Sequence, residues 1–237
     1  LRTDPVVLTA AGGLAGLAWL EGDRRGALGV RFARWTGERW TRPEPVAAPG
    51  PGTQIALAGT RLADGSLLLL WAAYDGEDDE ILWSRRGADG TWSRPHALGF
   101  GNSVPDVTPA VTALPGGGAL AAWSRFDEAS AQYLVMAARF DDGAWSAPHA
   151  VAPPGTAFPS FEATPDDAAT PRLLVRTAAP RGWAVLELDA DGRPRRVAHA
   201  EAAAPDRPRV EDAAGGVDLR WPGTGRASRA LAWEILP

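Results

Sequence analysis

This sequence predicts an all-β fold: a β-propeller of five blades, each a four-stranded antiparallel meander, with the last blade short of its outer strand. Three observations predict it. Tryptophan segments recur at 37–46, 89–98 and 142–151, placing Trp40, Trp92 and Trp145 at intervals of 52 and 53 residues. A second series, Trp19, Trp71 and Trp123, runs at intervals of 52 and continues to Val175. A fixed period of this size marks supersecondary units that bury their apolar faces only against one another. Finally, runs such as Leu67-Leu68-Leu69-Leu70-Trp71 are apolar without alternation, so the strands that carry them are covered on both faces.

Each element follows from the repeat. The first strand of a unit is read at 6–10, 55–62, 110–114, 161–164 and 209–212. Pro5, Pro109 and Pro208 stand at its start, where a strand tolerates a residue without an amide hydrogen. A turn follows at Gly12-Gly13, Asp64-Gly65, Gly116-Gly117 and Gly215-Gly216, dipeptides that supply positive φ. Second strands lie at 14–19, 66–71, 119–123, 173–175 and 217–221, and third strands at 27–35, 81–86, 133–140, 183–188 and 230–236. An Asp-Gly type hairpin then leads into the tryptophan segment, whose Pro43, Pro95 or Pro148 ends or edges the fourth strand. The blades are 1–49, 50–101, 102–154, 155–203 and 204–237 within one domain; a sixth is expected if the chain is truncated. No stretch reads as a helix, because the Ala-rich segments carry too many Gly and Pro.

Composition narrows the function. At 45% hydrophobic the 237 residues can bury a core, and a net charge of −5 argues against a nucleic-acid surface. All 24 basic residues are arginine, which with abundant Ala, Gly and Pro reads as bacterial-like compositional drift. Without cysteine there is no disulfide framework, thiolate nucleophile or zinc–cysteine site. No run is long enough to span a membrane as a helix, and 5–20 lacks the basic flank of a signal peptide. The chain opens at a strand edge, so a secreted or periplasmic product with its export signal removed is the expectation. No cofactor is expected.

The segment Ser84-Arg-Arg-Gly-Ala-Asp-Gly-Thr-Trp92, followed by Ser-Arg-Pro, resembles the Asp-box (BNR repeat, Ser-x-Asp-x-Gly-x-Thr-Trp) of sialidase-like propellers, with altered spacing. The opening unit is similar too, with Arg2 and Pro5 in an Arg-x-x-Pro entry, then Trp19-Leu-Glu-Gly-Asp-Arg-Arg25. The resemblance implies a binding face around a central channel. In sialidases three arginines hold a substrate carboxylate, a Glu-activated Tyr is the nucleophile and an Asp is the acid; Arg2 matches the first arginine. The tyrosines, Tyr74 and Tyr133, lie in early units, whereas the family places its nucleophile near the end, so the resemblance implies the fold without the enzyme.

In such a meander, the loops between blades and those between second and third strands share one face. That face holds 50–54, 101–106, 155–160 and 203–207, together with 21–25, 74–80, 126–129 and 177–181. Ligand-binding candidates there are Arg2, Arg24, Tyr74, Phe100, Asn102, Phe126 and Phe158. Catalytic candidates are Asp4, Asp106 and Glu162, each near the start of an innermost strand, because glycoside hydrolysis needs two carboxyl groups flanking one bond. Asp4-Pro5 resembles the base dipeptide of five-bladed arabinanase-like glycosidases, although the repeat sets Asp4 opposite Thr108 and Asp106 opposite Gln54. The loop Asp75-Gly-Glu-Asp-Asp-Glu80 offers Asp75, Glu77 and Asp79 as weak candidates for a calcium ion, at spacings that match no known calcium loop. A solvated acidic loop is the simpler reading, and no metal is expected.

The leading expectation is a propeller without catalysis that binds a glycan or a protein. The first alternative is a glycoside hydrolase using the three carboxylates. The second is a structural subunit that forms an oligomer through the open edge of its last blade.

Overall fold

The computed structural model describes residues 2–10, 13–49, 54–99, 102–162, 170–201, 207–221 and 229–236. It is all-β, with no helix among those residues, and its strands form antiparallel meanders. The first sheet comprises β1 (Arg2–Ala10), β2 (Gly13–Gly22), β3 (Leu28–Arg34) and β4 (Glu44–Ala47); the second comprises β5 (Gln54–Arg61), β6 (Leu67–Tyr74), β7 (Asp79–Arg86) and β8 (His96–Ala97). The third contains β9 (Asp106–Ala113), β10 (Ala119–Asp127) and β11 (Gln132–Asp141), with the short β12 (Ala144–Trp145) and β13 (His149–Ala152) both on the edge of β11. The fourth contains β14 (Thr156–Phe161), β15 (Arg172–Ala178), β16 (Arg181–Leu188) and β17 (Pro194–Glu201). The fifth has three strands, β18 (Arg209–Ala213), β19 (Gly216–Arg220) and β20 (Arg229–Ala232).

Several strands depart from the sequence expectation: β1 and β9 each begin four residues before the predicted 6 and 110, and the fourth and fifth sheets differ further. The innermost strand of the fourth sheet begins at Thr156, five residues before the predicted start, because Phe158 and Pro159 belong to it. The third strand expected at 230–236 is divided. Ala232 ends β20, and β21 (Glu234–Ile235) crosses to pair with β17 as an extra strand of the fourth sheet.

Alternation along the inner strands joins the sheets face to face in chain order. Leu67, Leu69, Trp71 and Ala73 pack with Leu8, Leu20, Val30 and Phe32 of the first sheet. Their neighbours Leu68, Leu70 and Ala72 point the other way, into a core with Ala121, Trp123 and Phe140 of the third. Leu120, Ala122, Val135 and Ala137 then meet Leu173, Val175 and Leu186, while Leu174 and Val185 meet Val217 and Leu219. The unbroken apolar run at 67–71 is thus a period-two pattern with a partner on each side. Burying each such side chain contributes about 1.5–3 kcal/mol.

The tryptophan segments close the outer hairpins, and the second and third also lean on the preceding sheet. Gly90, at φ +78°, turns the chain so that Trp92 bridges to Arg86. The Trp92 ring then meets Phe32 of the first sheet edge-on at 5.3 Å, and its Nε1 donates to Glu44 Oε1 at 3.0 Å. Trp145 similarly lies 6.2 Å from Trp83 of the second sheet.

Candidate functional site

The innermost strands β1, β5, β9 and β14 each break register at a non-glycine residue with positive φ: Asp4 (49°), Ala56 (52°), Thr108 (53°) and Phe158 (54°). A positive φ outside glycine is uncommon and strained, and a bulge tolerates it by releasing one residue from the ladder. Its recurrence in four sheets makes the bulge a property of the repeat, on which the residue type is free to vary. The released amide of Phe158 donates to Ser124 Oγ at 3.0 Å, and that hydroxyl also bonds Thr108 Oγ1 at 2.8 Å.

The bulge sets the level of each carboxylate candidate. Asp4 occupies the bulge, Asp106 lies two residues before its own, and Glu162 four residues beyond Phe158. At about 3.3 Å per residue, Asp106 and Glu162 differ by roughly 20 Å along the strand direction. The register therefore does not bring the three together. Asp4 is exposed, and Glu162 receives Arg207 Nη2 at 2.6 Å near the hairpin end of its strand.

Asp106 is held inside a polar latch. It is 2% exposed; Arg125 contacts both its oxygens (Nε–Oδ1 2.8 Å, Nη2–Oδ2 2.6 Å), and Trp123 Nε1 donates to Oδ1 at 2.9 Å. Asn102 Nδ2 reaches Oδ2 at 3.2 Å and also Glu80 Oε1 at 3.0 Å, so the linker entering the third sheet is tied to both sheets. The corresponding Gln54 and Thr156 latch their own linkers, through Ala48 O at 2.8 Å and Pro153 O at 2.6 Å. In the first sheet the charges are exchanged: Arg2 takes the position of Asp106, and Glu21 accepts from both Arg2 Nε (3.0 Å) and Trp19 Nε1 (3.1 Å).

The acidic loop 75–80 feeds the same latch. Asp75 Oδ1 accepts the amides of Glu77 and Asp78 in a local turn. Among the described residues no group of three or more Asp, Glu or His side chains is arranged to hold a metal ion. Asp78 is buried with neither carboxylate oxygen partnered among the described residues, and burial followed by repulsion from Asp75 and Asp106 raises its pKa. Burial pushes Glu80 up to about 7, against the lowering effect of the Asn102 amide that it accepts. Asp106, Glu80 and Asp78 are only 2, 4 and 7% exposed, so this network lies beneath the surface that a ligand would touch.

The ligand candidates fare differently. Arg2 is engaged with Glu21, with its guanidinium 5.7 Å from the Trp19 ring centre. Asn102 belongs to the latch, Arg24 is exposed on a turn, and Tyr74 is 45% exposed with its hydroxyl donating to Gly76 O at 2.9 Å. Phe100 lies outside the described residues. Phe126 packs edge-on against Tyr133 at 5.5 Å, and Phe158 is 58% exposed.

Phe158 and Tyr133 meet in a cleft of about 410 Å³ between the third and fourth sheets, also lined by Gln132, Thr177, Arg176 and Arg181. This cleft joins the linker 155–160 to the loop 177–181, two segments that the repeat places on one face. Sequence reasoning did not single out Arg176, Arg181, Gln132 or Tyr133 as ligand-binding residues. The two arginines flanking the turn before Arg181 were a visible signal, but their common orientation depends on the β15–β16 register. Among the described lining residues none is a carboxylate.

No protein-family model and no curated protein matches the chain. Among solved structures, it is similar to the GH93 α-L-arabinofuranosidase of Fusarium graminearum in complex with arabinobiose. That likeness has a TM-score of 0.54 at 9% identity and covers 99% of this chain and 75% of the other. A glycosyl hydrolase from Bacteroides ovatus gives a TM-score of 0.49 at 14% identity over 81% of this chain and 71% of that one. At such identity the first likeness establishes a propeller-type fold alone, and the second carries no argument.

Proposed function

We propose that this propeller is a non-catalytic carbohydrate-binding module whose ligand occupies the cleft between the third and fourth sheets. The observation that carries the reading is the exposed Phe158 ring in a cleft that Tyr133 and Gln132 also line. A sugar ring presents an apolar face edged by hydroxyls, so it matches an exposed aromatic flanked by polar side chains. Hydrolysis needs two carboxyl groups roughly 5–9.5 Å apart across the bond, and the described lining offers only arginines as ionisable groups other than the Tyr133 phenol. The separation of Asp4, Asp106 and Glu162 along their strands supports the same reading.

A glycan array followed by calorimetry on the best ligands tests it, alongside hydrolysis assays on chromogenic arabinosides, xylosides and sialosides. Binding without turnover is expected. Phe158→Ala should weaken binding about tenfold while leaving the melting temperature within about 2 °C, as for a surface substitution. Turnover by the wild type would refute the non-catalytic reading, and absence of any glycan ligand would refute the carbohydrate reading.

A further inference from the structure

Resting on that carbohydrate reading, we infer that the saccharide carries an uncharged aromatic group, which enters an apolar pocket adjoining the cleft. The pocket follows from a change in the repeat. Between the second and third strands of a sheet, Trp71 pairs with Leu82 and Trp123 with Met136, and both tryptophans fill the space toward the preceding sheet. In the fourth sheet the same pair is Val175 and Ala184. The register bears out the match: Thr177 pairs with Thr156 as Arg125 does with Asp106 and Ala73 with Gln54, in each case two residues beyond Val175, Trp123 or Trp71. Two large side chains thus give way to two small ones at one level. A pocket of about 240 Å³ lies there between the third and fourth sheets, with buried Val151, Val175 and Ala184 in its floor and exposed Pro153, Pro180 and His199 at its mouth.

An indole occupies this place in the two preceding sheets, so a planar ring matches the pocket in shape and polarity. An apolar cavity of about 150 Å³ already holds benzene, which leaves room here for a ring and a short spacer. An unfilled apolar void forfeits dispersion contacts, and an occupant restores them. Thr156 stands where Asp106 accepts the Trp123 indole N–H; its hydroxyl donates to Pro153 O at 2.6 Å and can still accept from a ring hydroxyl. His199 apart, no ionisable side chain is among the described lining residues. Cleft and pocket share Gly155, Thr156 and Thr177. The Gly155 amide donates to Tyr133 O and the Ala178 amide donates to Gly155 O, each at 2.8 Å, so the linker forms a ridge one chain thick between them. Crossing one chain takes about 5 Å, the reach of a two- or three-carbon spacer between a sugar oxygen and a ring.

The test is calorimetry of the full chain with matched glycosides. These are the methyl, phenylethyl and phenylpropyl β-xylopyranosides, β-galactopyranosides and α-arabinofuranosides. For at least one sugar an aryl form should bind about 10- to 100-fold more tightly than the methyl form, the gain from burying one ring. Val175→Trp returns the indole of the repeat to the pocket, and Ala184→Leu fills the same space with less bulk, so that one folded variant suffices. Each should abolish the preference and leave affinity for the methyl glycoside unchanged, with thermal unfolding showing which variants are folded. Equal affinity for aryl and methyl forms would overturn the inference and leave the carbohydrate reading intact. A preference that survives in the folded variants would do the same, because the ring would then be stacking in the cleft itself. Failure of every glycoside to bind, aryl and methyl alike, would remove both.

Discussion

Replacing Arg125 by methionine tests whether Asp106 is a structural latch. The substitution keeps the volume and apolar stem but removes the bidentate contact at 2.8 and 2.6 Å. Asp106 would then remain 2% exposed as a carboxylate supported only by Trp123 and Asn102, with Glu80 and Asp78 close by. Breaking a buried ion pair from one side costs about 3–5 kcal/mol. For a chain of this size each kcal/mol shifts the midpoint by about 2–4 °C, so thermal unfolding followed by circular dichroism should show a fall of roughly 6–20 °C. The double variant D106N/R125M, with no charge left behind, should recover most of the loss. A melting temperature within 2 °C of wild type at pH 8, or a double variant no more stable than R125M, would refute the reasoning.

Trp92→Ala removes a half-buried ring seated on Phe32 and the donor to Glu44; at about half the cost of a fully buried tryptophan, roughly 2 kcal/mol, the midpoint should drop by about 4–8 °C. Glycan affinity at saturation should not change, because the hairpin lies away from the cleft, and an unaltered melting curve would contradict the inter-sheet role. Glu80 has its folded pKa raised to about 7, so the stability it lends is present below its ordinary value of 4.5 and is lost as pH rises through 7. Glu80→Gln should therefore gain on the wild type in melting temperature between pH 5 and pH 8; parallel pH profiles would count against the burial argument.

The architecture was legible because it is written in local period. Tryptophans at 19, 71 and 123 and the run at 67–71 require strands covered on both faces, whatever their partners. The tryptophan hairpins were readable for the same reason, since Gly90 and its counterparts act on adjacent residues. The bulge was half legible: Pro5 and Pro109 follow it, but so does Pro159, and the predicted start of the fourth inner strand at 161 passed over that proline. The C-terminal stretch misled because 230–236 has strand character throughout, and nothing local separates β20 from β21.

By itself, then, the sequence determined the all-β class, the stacking order of the repeated sheets and the separation of hairpin face from loop face. All three depend on side-chain alternation and on residues adjacent in the chain. Tertiary structure alone decided that Asp106 is tied to Arg125 and, through Asn102, to Glu80, that Phe158 and Tyr133 line one cleft, and that the last strand crosses to the fourth sheet. Each of these depends on strand register or on which distant strand comes alongside. A one-residue bulge is enough to move a side chain from one face to the other.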